Sequence, residues 1–455
     1  MKKLLGTNMM KDDSLNSKKH TVPRSLYIVS LLCWILLLTA QLMMLISFSG
    51  KQISDSATYL SIATKLAERN EWYPSTLNIN SDYLFGNGYI NLVILCLRLF
   101  GNIRVLYYLN ILFTQIILFS CLYIIKKTLD SSKVLCWFVI LFCLLNTFWS
   151  EIVHLRTELP FSALCYLSFA LAYSKKKFSY ILSGILLAIA NWIRPLGIAF
   201  MIGLICIIIY RRTLIHIWKP IASYISVVLL IGTLTYLNCG YFVYQSTTLG
   251  VNLMMSAHGN ADGSYMDVSD IAPIPKEQRK NMSFRDVDNF YKKQSVEWII
   301  NNPGKYISQI PKKIFYLFST ETYSGSSFYN NKVETGGIDY IKSIYAKVTN
   351  KTDKPFLFAD LLVLFNQIWY MLIFVLFLIG FGFSIKYNVW RGFAPYMLSL
   401  FIGTSITLII VGGARYHFPY IPVFMMYASL FLGTTNQTKE KDYEISEINE
   451  SKTLC

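Results

Sequence analysis

Charged residues are scarce in this chain, and acidic ones are scarcer than basic ones. They make up 15% of its 455 residues, and 42 Lys and Arg against 26 Asp and Glu leave a formal charge of +16. A basic excess can indicate nucleic-acid binding. Here the basic residues lie in short clusters between long apolar runs, which is the orientation signal of a membrane protein. The sequence therefore predicts a lipid bilayer as partner and no nucleic acid.

Three further sequence features are absent: a cysteine motif, a signal peptide and an internal repeat. The nine cysteines show no metal-ligand spacing and lie mostly inside hydrophobic runs, so neither a cysteine metal centre nor a disulfide framework is expected. The first 24 residues lack the short apolar region and cleavage site of a signal peptide, and the run at 25–49 is too long for one. We find no internal repeat. The first hydrophobic run is therefore predicted to be a retained membrane span.

Long hydrophobic runs are abundant, and 54% of the residues are apolar. A helix needs about 20 apolar residues to cross a bilayer. The sequence predicts an all-α polytopic membrane protein with about ten transmembrane helices, near residues 26–48, 104–125, 134–150, 158–173, 179–193, 195–210, 218–238, 357–385, 393–412 and 416–433.

The apolar stretch at 84–100 differs from these spans in that the basic clusters indicate that it does not cross the membrane. If it does not cross and the N-terminus is inside, the basic clusters near residues 126, 175, 211 and 386 all face the cytoplasm, as the positive-inside rule requires. If it crossed, all of them would face outside. We therefore predict an interfacial or re-entrant helix at 84–100. Both termini are then cytoplasmic, and the composition favours a bacterial inner (plasma) membrane.

This topology divides the chain into five parts. They are a cytoplasmic N-terminal segment (1–25), a transmembrane core (26–238) whose first external loop is 49–103, a large external loop of mixed structure (239–356), the C-terminal transmembrane helices (357–433), and a cytoplasmic tail (434–455) that we expect to be disordered. Amphipathic spacing predicts surface helices at 55–70 and 302–318. The polar residues of the loops thus collect on one face of the membrane.

Two carboxylates on that face are candidates for catalysis. Asp55 begins the stretch Asp55-Ser56-Ala57-Thr58-Tyr59, and a carboxylate at the surface of a membrane-embedded chain is costly unless it has a function. Its alternative role is an N-cap that accepts hydrogen bonds from the first amides of its helix. Glu158 lies at the outer mouth of a predicted span. Complementing the helix dipole, or pairing with Arg156, is the alternative for Glu158.

Two arginines lie on the same predicted face. Arg194 and Pro195 interrupt a hydrophobic stretch long enough for two spans, and a turn needs no arginine. Arg415 follows two glycines and precedes Tyr416. A guanidinium matches the geometry of phosphate oxygens, whereas snorkelling to lipid headgroups is the alternative for Arg194. Two arginines on one face indicate a site for a membrane-borne anion, and a lipid phosphate fits this description best.

The order of these motifs resembles the GT-C superfamily of glycosyltransferases, and more narrowly the family of protein O-mannosyltransferases and the lipid A aminoarabinose transferase (glycosyltransferase family 39). Asp55-Ser56-Ala57-Thr58-Tyr59 before an amphipathic helix resembles its first-loop acidic motif. Arg156-Thr157-Glu158 resembles its second external acidic position, where Asp is commoner. The stretch from Gly184 to Pro195 resembles its Gly-rich span with a basic end, and the stretch from Arg415 to Pro422 resembles its late Arg-Tyr segment.

The resemblance implies an inverting transfer of a sugar from a polyprenyl-phosphate donor to an acceptor lipid, glycan or protein at the external (periplasmic) face. Asp55 is then expected to accept the proton of the acceptor hydroxyl, with Glu158 as the second catalytic carboxylate. The donor phosphate is expected to bind to cationic and hydroxyl donors, which are Arg194, Arg415, Tyr59 and Tyr416.

The cofactor of this reaction is left unassigned. Some members of the family use a divalent ion, but the sequence contains no dense cluster of metal ligands. Glu158, His154 and His258 are the only residues that we can name as contributors, and we assign no metal.

Two other function classes stay open. A transporter would place its polar residues near the membrane midplane, whereas here they lie at one surface. An envelope polysaccharide polymerase or ligase would also present external arginines to a lipid-linked glycan, but we expect those arginines in large external loops. The acidic motif directly after the first span favours a glycosyltransferase.

The orientation predicts where a chemical label will react. A cysteine introduced by Lys127→Cys, in a chain without its native cysteines, should react with an impermeant maleimide only after the membrane is permeabilised. The reason is that the basic cluster around Lys127 remains on the cytoplasmic side. Labelling of intact cells at this position would overturn the one-sided arrangement of the polar residues.

Overall fold

A computed structural model describes residues 22–174, 176–264, 266–330 and 338–434. Within these ranges every regular element is a helix and none is a strand, so the all-α class is confirmed. The regular elements of the large loop, which was expected to be of mixed structure, are all helices in its described parts, and they are joined by irregular stretches. Most of the predicted N-terminal segment and nearly all of the predicted tail lie outside the described residues.

The helices are numbered in chain order. They are α1 (Arg24–Ser47), α2 (Asp55–Glu68), α3 (Asn87–Phe100), α4 (Arg104–Thr128), α5 (Ser132–Cys143), α6 (Thr147–Ser150), α7 (Glu158–Ala172), α8 (Lys177–Ile193), α9 (Gly197–Tyr210), α10 (Trp218–Cys239), α11 (Leu249–Met254), α12 (Val268–Ile271), α13 (Lys276–Arg279), α14 (Phe284–Asn301), α15 (Pro303–Ser308), α16 (Ile310–Phe318), α17 (Tyr323–Asn330), α18 (Ile338–Val348), α19 (Phe358–Lys386), α20 (Trp390–Ile410) and α21 (421–434). Short 3₁₀ helices lie at Thr76–Asn78, Glu151–Val153, Leu214–His216 and Ala414–Tyr420.

Several of these helices are long and apolar enough to cross a bilayer. In the described part of the chain there are five: α1, α4, the continuous helix Leu214–Cys239, α19 and α20. A sixth is obtained if the bent pair Ser132–Cys143 and Thr147–Val153 counts as one span. Helices α7, α8 and α9 are apolar but shorter, at 14 to 17 residues. The number of ten spans is therefore not confirmed and stays a prediction.

Helix α10 shows why a bilayer is needed. Only 6% of its apolar window is buried inside the protein, and Leu229, Leu230, Leu234 and Leu237 are all more than half exposed. Soluble proteins rarely expose a continuous apolar surface of this size. With the other candidate spans, this exposed face identifies the chain as a membrane protein.

The span predicted at 134–150 is broken in the structure. Helix α5 ends at Cys143, and the helix that resumes at Thr147 is bent from it by 62°. Trp149 Nε1 donates a hydrogen bond to the freed Cys143 carbonyl (2.7 Å), and the Thr147 N–H donates to Asn366 Oδ1 (3.1 Å). A broken helix at membrane depth needs such partners. The local sequence does not reveal the break, because one of them comes from α19.

The segment predicted as the last span is surrounded by protein. It begins as the 3₁₀ helix Ala414–Tyr420 and continues as α21, and every residue from 421 to 430 is buried. Helix α19 packs against it so closely that a Cβ at Gly380 would lie 2.1 Å from the Tyr427 carbonyl oxygen. Helix α21 therefore forms the centre of the bundle and carries the Arg415 segment at one end.

Helices form at the three positions predicted for surface helices, and their location at the membrane interface stays a prediction. Those expected at 55–70 and 84–100 form α2 and α3, which pack on each other. The helix expected at 302–318 is divided into α15 and α16. Part of the large loop has a small apolar core of its own, where α11 packs on α14 around Met254, Val287 and Tyr291.

Two glycines on α19 provide a matched test of this packing. We predict that Gly380→Ala destabilises the protein by about 1–3 kcal/mol, because the added methyl group collides with backbone. Gly382→Ala should be neutral or stabilising by up to about 1 kcal/mol, since a Cβ there would have no described atom of another element within 4 Å. Thermal unfolding in detergent measures both, and equal behaviour of the two variants would contradict the position of α21.

Candidate active site

Helix α2 positions Asp55 at one end of the bundle. Its buried residues recur every three or four positions, so the amphipathic face predicted from the sequence is the face that packs. Ser54 occupies the N-cap position and Asp55 is the first helical residue. The Asp55 carboxylate pairs with Arg415 rather than with the amides of its own helix.

The turn between α8 and α9 positions Arg194. Helix α8 ends at Ile193, and Arg194 has an extended backbone (φ −146°, ψ 128°). Asn191 Oδ1 accepts a hydrogen bond from the Gly197 N–H (2.8 Å), and a Cβ at residue 197 would lie 2.5 Å from Asn191 Cβ. The turn is therefore tight, and it holds the Arg194 side chain beside the start of α7.

Four of the sequence-predicted residues meet in one row. Arg415 Nη1 donates to Asp55 Oδ2 (2.6 Å), and Arg415 Nε donates to Glu158 Oε1 (2.8 Å). Arg194 Nη1 lies 3.0 Å from the same Glu158 oxygen. We call Asp55, Arg415, Glu158 and Arg194 the charge row. Its members come from four separate segments of the chain.

Burial differs along the charge row. The Glu158 and Arg194 side chains are 2% and 8% exposed, whereas those of Arg415 and Asp55 are 23% and 39% exposed. A buried carboxylate requires partners, and the second oxygen of Glu158 accepts a hydrogen bond from the Thr157 hydroxyl (3.3 Å). Asp55 Oδ1 accepts no hydrogen bond from the residues that the structure describes. Asp55 is therefore the carboxylate of the row that a substrate can reach.

Arg194 carries a buried donor without a hydrogen-bond partner among the described residues. Its Nη1 is close to Glu158, but its N–H groups are not directed at the oxygen, and it forms no hydrogen bond with the described residues. The same holds for Trp192 Nε1 and the Tyr420 hydroxyl. Buried polar groups without a partner are rare in proteins. Arg194 Nη1 is thus a donor of the charge row that no described residue uses.

The two tyrosines named from the sequence flank the charge row. The Tyr416 ring centroid lies 5.2 Å from Arg194 Cζ, within cation–π range. The Tyr59 ring packs on Phe85 and Tyr89. Burial, followed by the negative charge of Asp55, raises the pKa of Tyr59, so its hydroxyl stays protonated and available as a donor.

A second charged pair beside the row was not singled out from the sequence. Arg156 Nη1 bonds to Glu151 Oε2 (3.0 Å), so Arg156 pairs with Glu151 and not with Glu158 as the alternative explanation supposed. The Tyr323 ring lies between two guanidinium groups, 4.3 Å from Arg156 Cζ and 5.3 Å from Arg415 Cζ. Glu151 and Arg156 lie close together in a short polar turn, so their pairing could have been predicted from the sequence. Tyr323 lies on the distant helix α17, and no local sequence pattern indicates its contact with the two arginines.

The two histidines named as metal contributors lie in different places. His154 is buried, its Nε2 lies 3.2 Å from the Ser324 carbonyl oxygen, and burial lowers its pKa well below the usual value. His258 lies in the large loop and lines another cavity. Across the described ranges, no group of three or more His, Cys, Asp and Glu is placed to hold a metal ion. The carboxylates of the charge row are paired with arginines instead.

Comparisons of this chain with protein-family models, with curated proteins and with solved structures gave no match. The likeness to GT-C glycosyltransferases therefore stays an expectation from motif order. The geometry of the charge row is the physical basis on which a function can be proposed.

The burial gradient predicts unequal effects of two neutralising substitutions. Glu158→Gln leaves two guanidinium groups without their buried counter-charge, and removing one partner of a buried ion pair costs about 3–5 kcal/mol. Asp55→Asn breaks a pair that is partly solvated, which contributes about 0–1 kcal/mol. Thermal unfolding of the two variants should show this order. Equal losses of stability would mean that Glu158 does not hold the row together.

Proposed function

We propose that this protein is a membrane glycosyltransferase that moves a sugar from a polyprenyl-phosphate-linked donor to an acceptor at the external face of the membrane. The observation that carries the proposal is the charge row. It joins an accessible carboxylate, Asp55, to an arginine with unused N–H groups, Arg194, in a single site. A weak nucleophile and an anionic leaving group require these two kinds of residue.

Asp55 is the base in this proposal. An acceptor hydroxyl hydrogen-bonds to the open Oδ1 of Asp55 while Arg415 holds Oδ2. The acceptor oxygen bonds to the anomeric carbon from the side opposite the phosphate. The carbon–oxygen bond to the phosphate breaks, its electron pair goes to the phosphate oxygen, and the hydroxyl proton goes to Asp55. The result is a single displacement with inversion.

Arg194 and Arg415 bind the phosphate of the donor. The charge row holds two carboxylates and two arginines, so binding an anion depends on donors that the carboxylates do not use. Arg194 Nη1 lies 3.0 Å from Glu158 Oε1 but forms no hydrogen bond with the described residues. Fixed guanidinium groups stabilise the negative charge that develops on a leaving phosphate. Tyr59 and Tyr416 border this position.

Glu158 acts as a positioning residue in this mechanism. One of its oxygens faces both arginines and the other accepts from Thr157, which leaves little capacity to contact a sugar. Its charge fixes the separation and orientation of the two guanidinium groups. This role is compatible with the second acidic position of the family that the sequence resembles.

The origin of the arginines favours this function over the alternatives. Both come from short segments at helix ends, the α8–α9 turn and the start of the 3₁₀ helix Ala414–Tyr420. An envelope polymerase or ligase is expected to supply them from its large loop. The proposal includes the ten-span topology, with both termini in the cytoplasm and the charge row at the external side of a bacterial inner membrane.

The central test is sugar transfer by the purified full-length protein, with a panel of polyprenyl-phosphate sugars and release of polyprenyl phosphate as the readout. Asp55→Asn should reduce turnover by about 10²–10⁴-fold, because the acceptor loses its base. Arg194→Gln should reduce it by about 10²–10³-fold, because one donor to the leaving group is lost. Asp353→Asn, in an exposed loop, is the matched control and should retain full activity.

The outcomes separate the parts of the proposal. Full activity of folded Asp55→Asn would remove Asp55 from the role of base. No turnover or hydrolysis of any polyprenyl-phosphate sugar by the wild type would overturn the donor class.

A further inference from the structure

The large loop contains a polar cavity of about 150 Å³. One water molecule takes up about 30 Å³ in the liquid, so the cavity has room for a group as large as a sugar ring. It lies between the loop after α11 and helices α14 to α16, and no residue of the charge row lines it. The side chains that define it are those of His258, Asp262, Trp298, Lys305, Gln309 and Lys312.

Two residues that line this cavity each carry a buried polar atom without a partner among the described residues. Gln309 is 5% exposed, its Nε2 donates to the Ser256 carbonyl (3.0 Å), and its Oε1 is buried without a hydrogen bond. The His258 ring bonds to the backbone of Met255, and its Nε2 is buried and unpartnered. A glutamine carbonyl and the free nitrogen of a neutral imidazole are both acceptors. The ligand that complements them brings hydroxyl groups.

The rest of the lining adds an apolar face and positive charge. Trp298 offers an indole face against which the C–H groups of a sugar ring can pack. Lys305 and Lys312 are exposed at the rim of the cavity, and the lining contains a single carboxylate, Asp262, which interacts with Lys312. Two cations against one anion leave the cavity positive, so a ligand with one negative charge balances it.

We propose that this cavity binds a saccharide that carries one anionic group, either a carboxylate or a phosphate. The binding itself follows from the lining of the cavity. Its role as a subsite for the acceptor rests on the proposed glycosyltransferase function.

The cavity wall packs on the segment that carries Arg415. The Gly412 N–H donates to the Gly263 carbonyl (2.9 Å), and a Cβ at Gly412 would lie 2.6 Å from Lys313 Cα. The loop that holds Asp262, helix α16 and the start of the 3₁₀ helix Ala414–Tyr420 are thus in direct contact. A saccharide bound in the cavity is anchored to the same structural unit as the phosphate-binding arginine.

Binding is tested by calorimetry on the purified full-length protein. The probes are methyl β-glucuronide and glucose 1-phosphate, with methyl β-glucoside and inorganic phosphate as controls. Both anionic sugars should bind at least ten-fold more tightly than either control. The double variant Lys305→Gln, Lys312→Gln should lose this preference. Trp298→Ala should weaken the binding of both anionic sugars ten-fold. Lys293→Gln, which changes an exposed lysine on α14 outside the cavity, should leave all four affinities unchanged.

Each outcome decides a separate point. Tighter binding of the glucuronide identifies an acidic sugar of a glycan, and tighter binding of glucose 1-phosphate identifies a phosphorylated sugar headgroup. Three results would overturn the proposal. They are the absence of saturable binding, binding of inorganic phosphate as tight as that of glucose 1-phosphate, and an affinity that the cavity variants leave unchanged. Asp55→Asn should bind as the wild type does, so a failure of the transferase function is distinguishable from a failure of this site.

Discussion

The buried carboxylate of Glu158 is the constraint on which the arrangement of the charge row depends. A charge with 2% exposure is tolerated only beside opposite charge, so Glu158 draws Arg194 and Arg415 to the first turn of α7. Those arginines bring the α8–α9 turn and the 3₁₀ helix Ala414–Tyr420 with them. Arg415 then extends the arrangement outward to Asp55 and α2. One buried acid thus fixes four segments.

A second buried acid holds the same 3₁₀ helix from the inside. His417 Nε2 lies 2.6 Å from Glu321 Oε2, and the imidazole stacks on Tyr370 at 4.9 Å between centroids. Glu321 also accepts a hydrogen bond from Thr147 (2.9 Å), the residue at which the broken helix resumes. Two polar networks therefore support the segment between α20 and α21, one for Arg415 and one for its neighbour His417.

The membrane explains why polar groups are concentrated in this way. Helices α10 and α19 expose apolar faces that only lipid can cover, whereas the charge row and the cavity of the large loop lie where helices end and loops begin. Irregular backbone and ionisable side chains are tolerated beside a bilayer when protein or water surrounds them. The contact between Gly412 and Gly263 joins the two polar regions, so the proposed donor site and the proposed saccharide site belong to one connected part of the protein.

The sequence by itself determined the helical class, most helix positions and four members of the charge row. Apolar runs specify helices locally, and Asp55, Glu158, Arg194 and Arg415 each contrast with their apolar surroundings. Only the tertiary structure decided their partners. Arg415 pairs with an aspartate 360 positions away, Arg156 pairs with Glu151, and the helix predicted at 134–150 breaks where α19 supplies Asn366. It also decided that Gln309 and His258 line a cavity and that each has a buried polar atom without a described hydrogen-bond partner. These features depend on contacts between distant segments. The ion pairs and hydrogen bonds in those contacts form only when packing removes water, so no local sequence pattern predicts them.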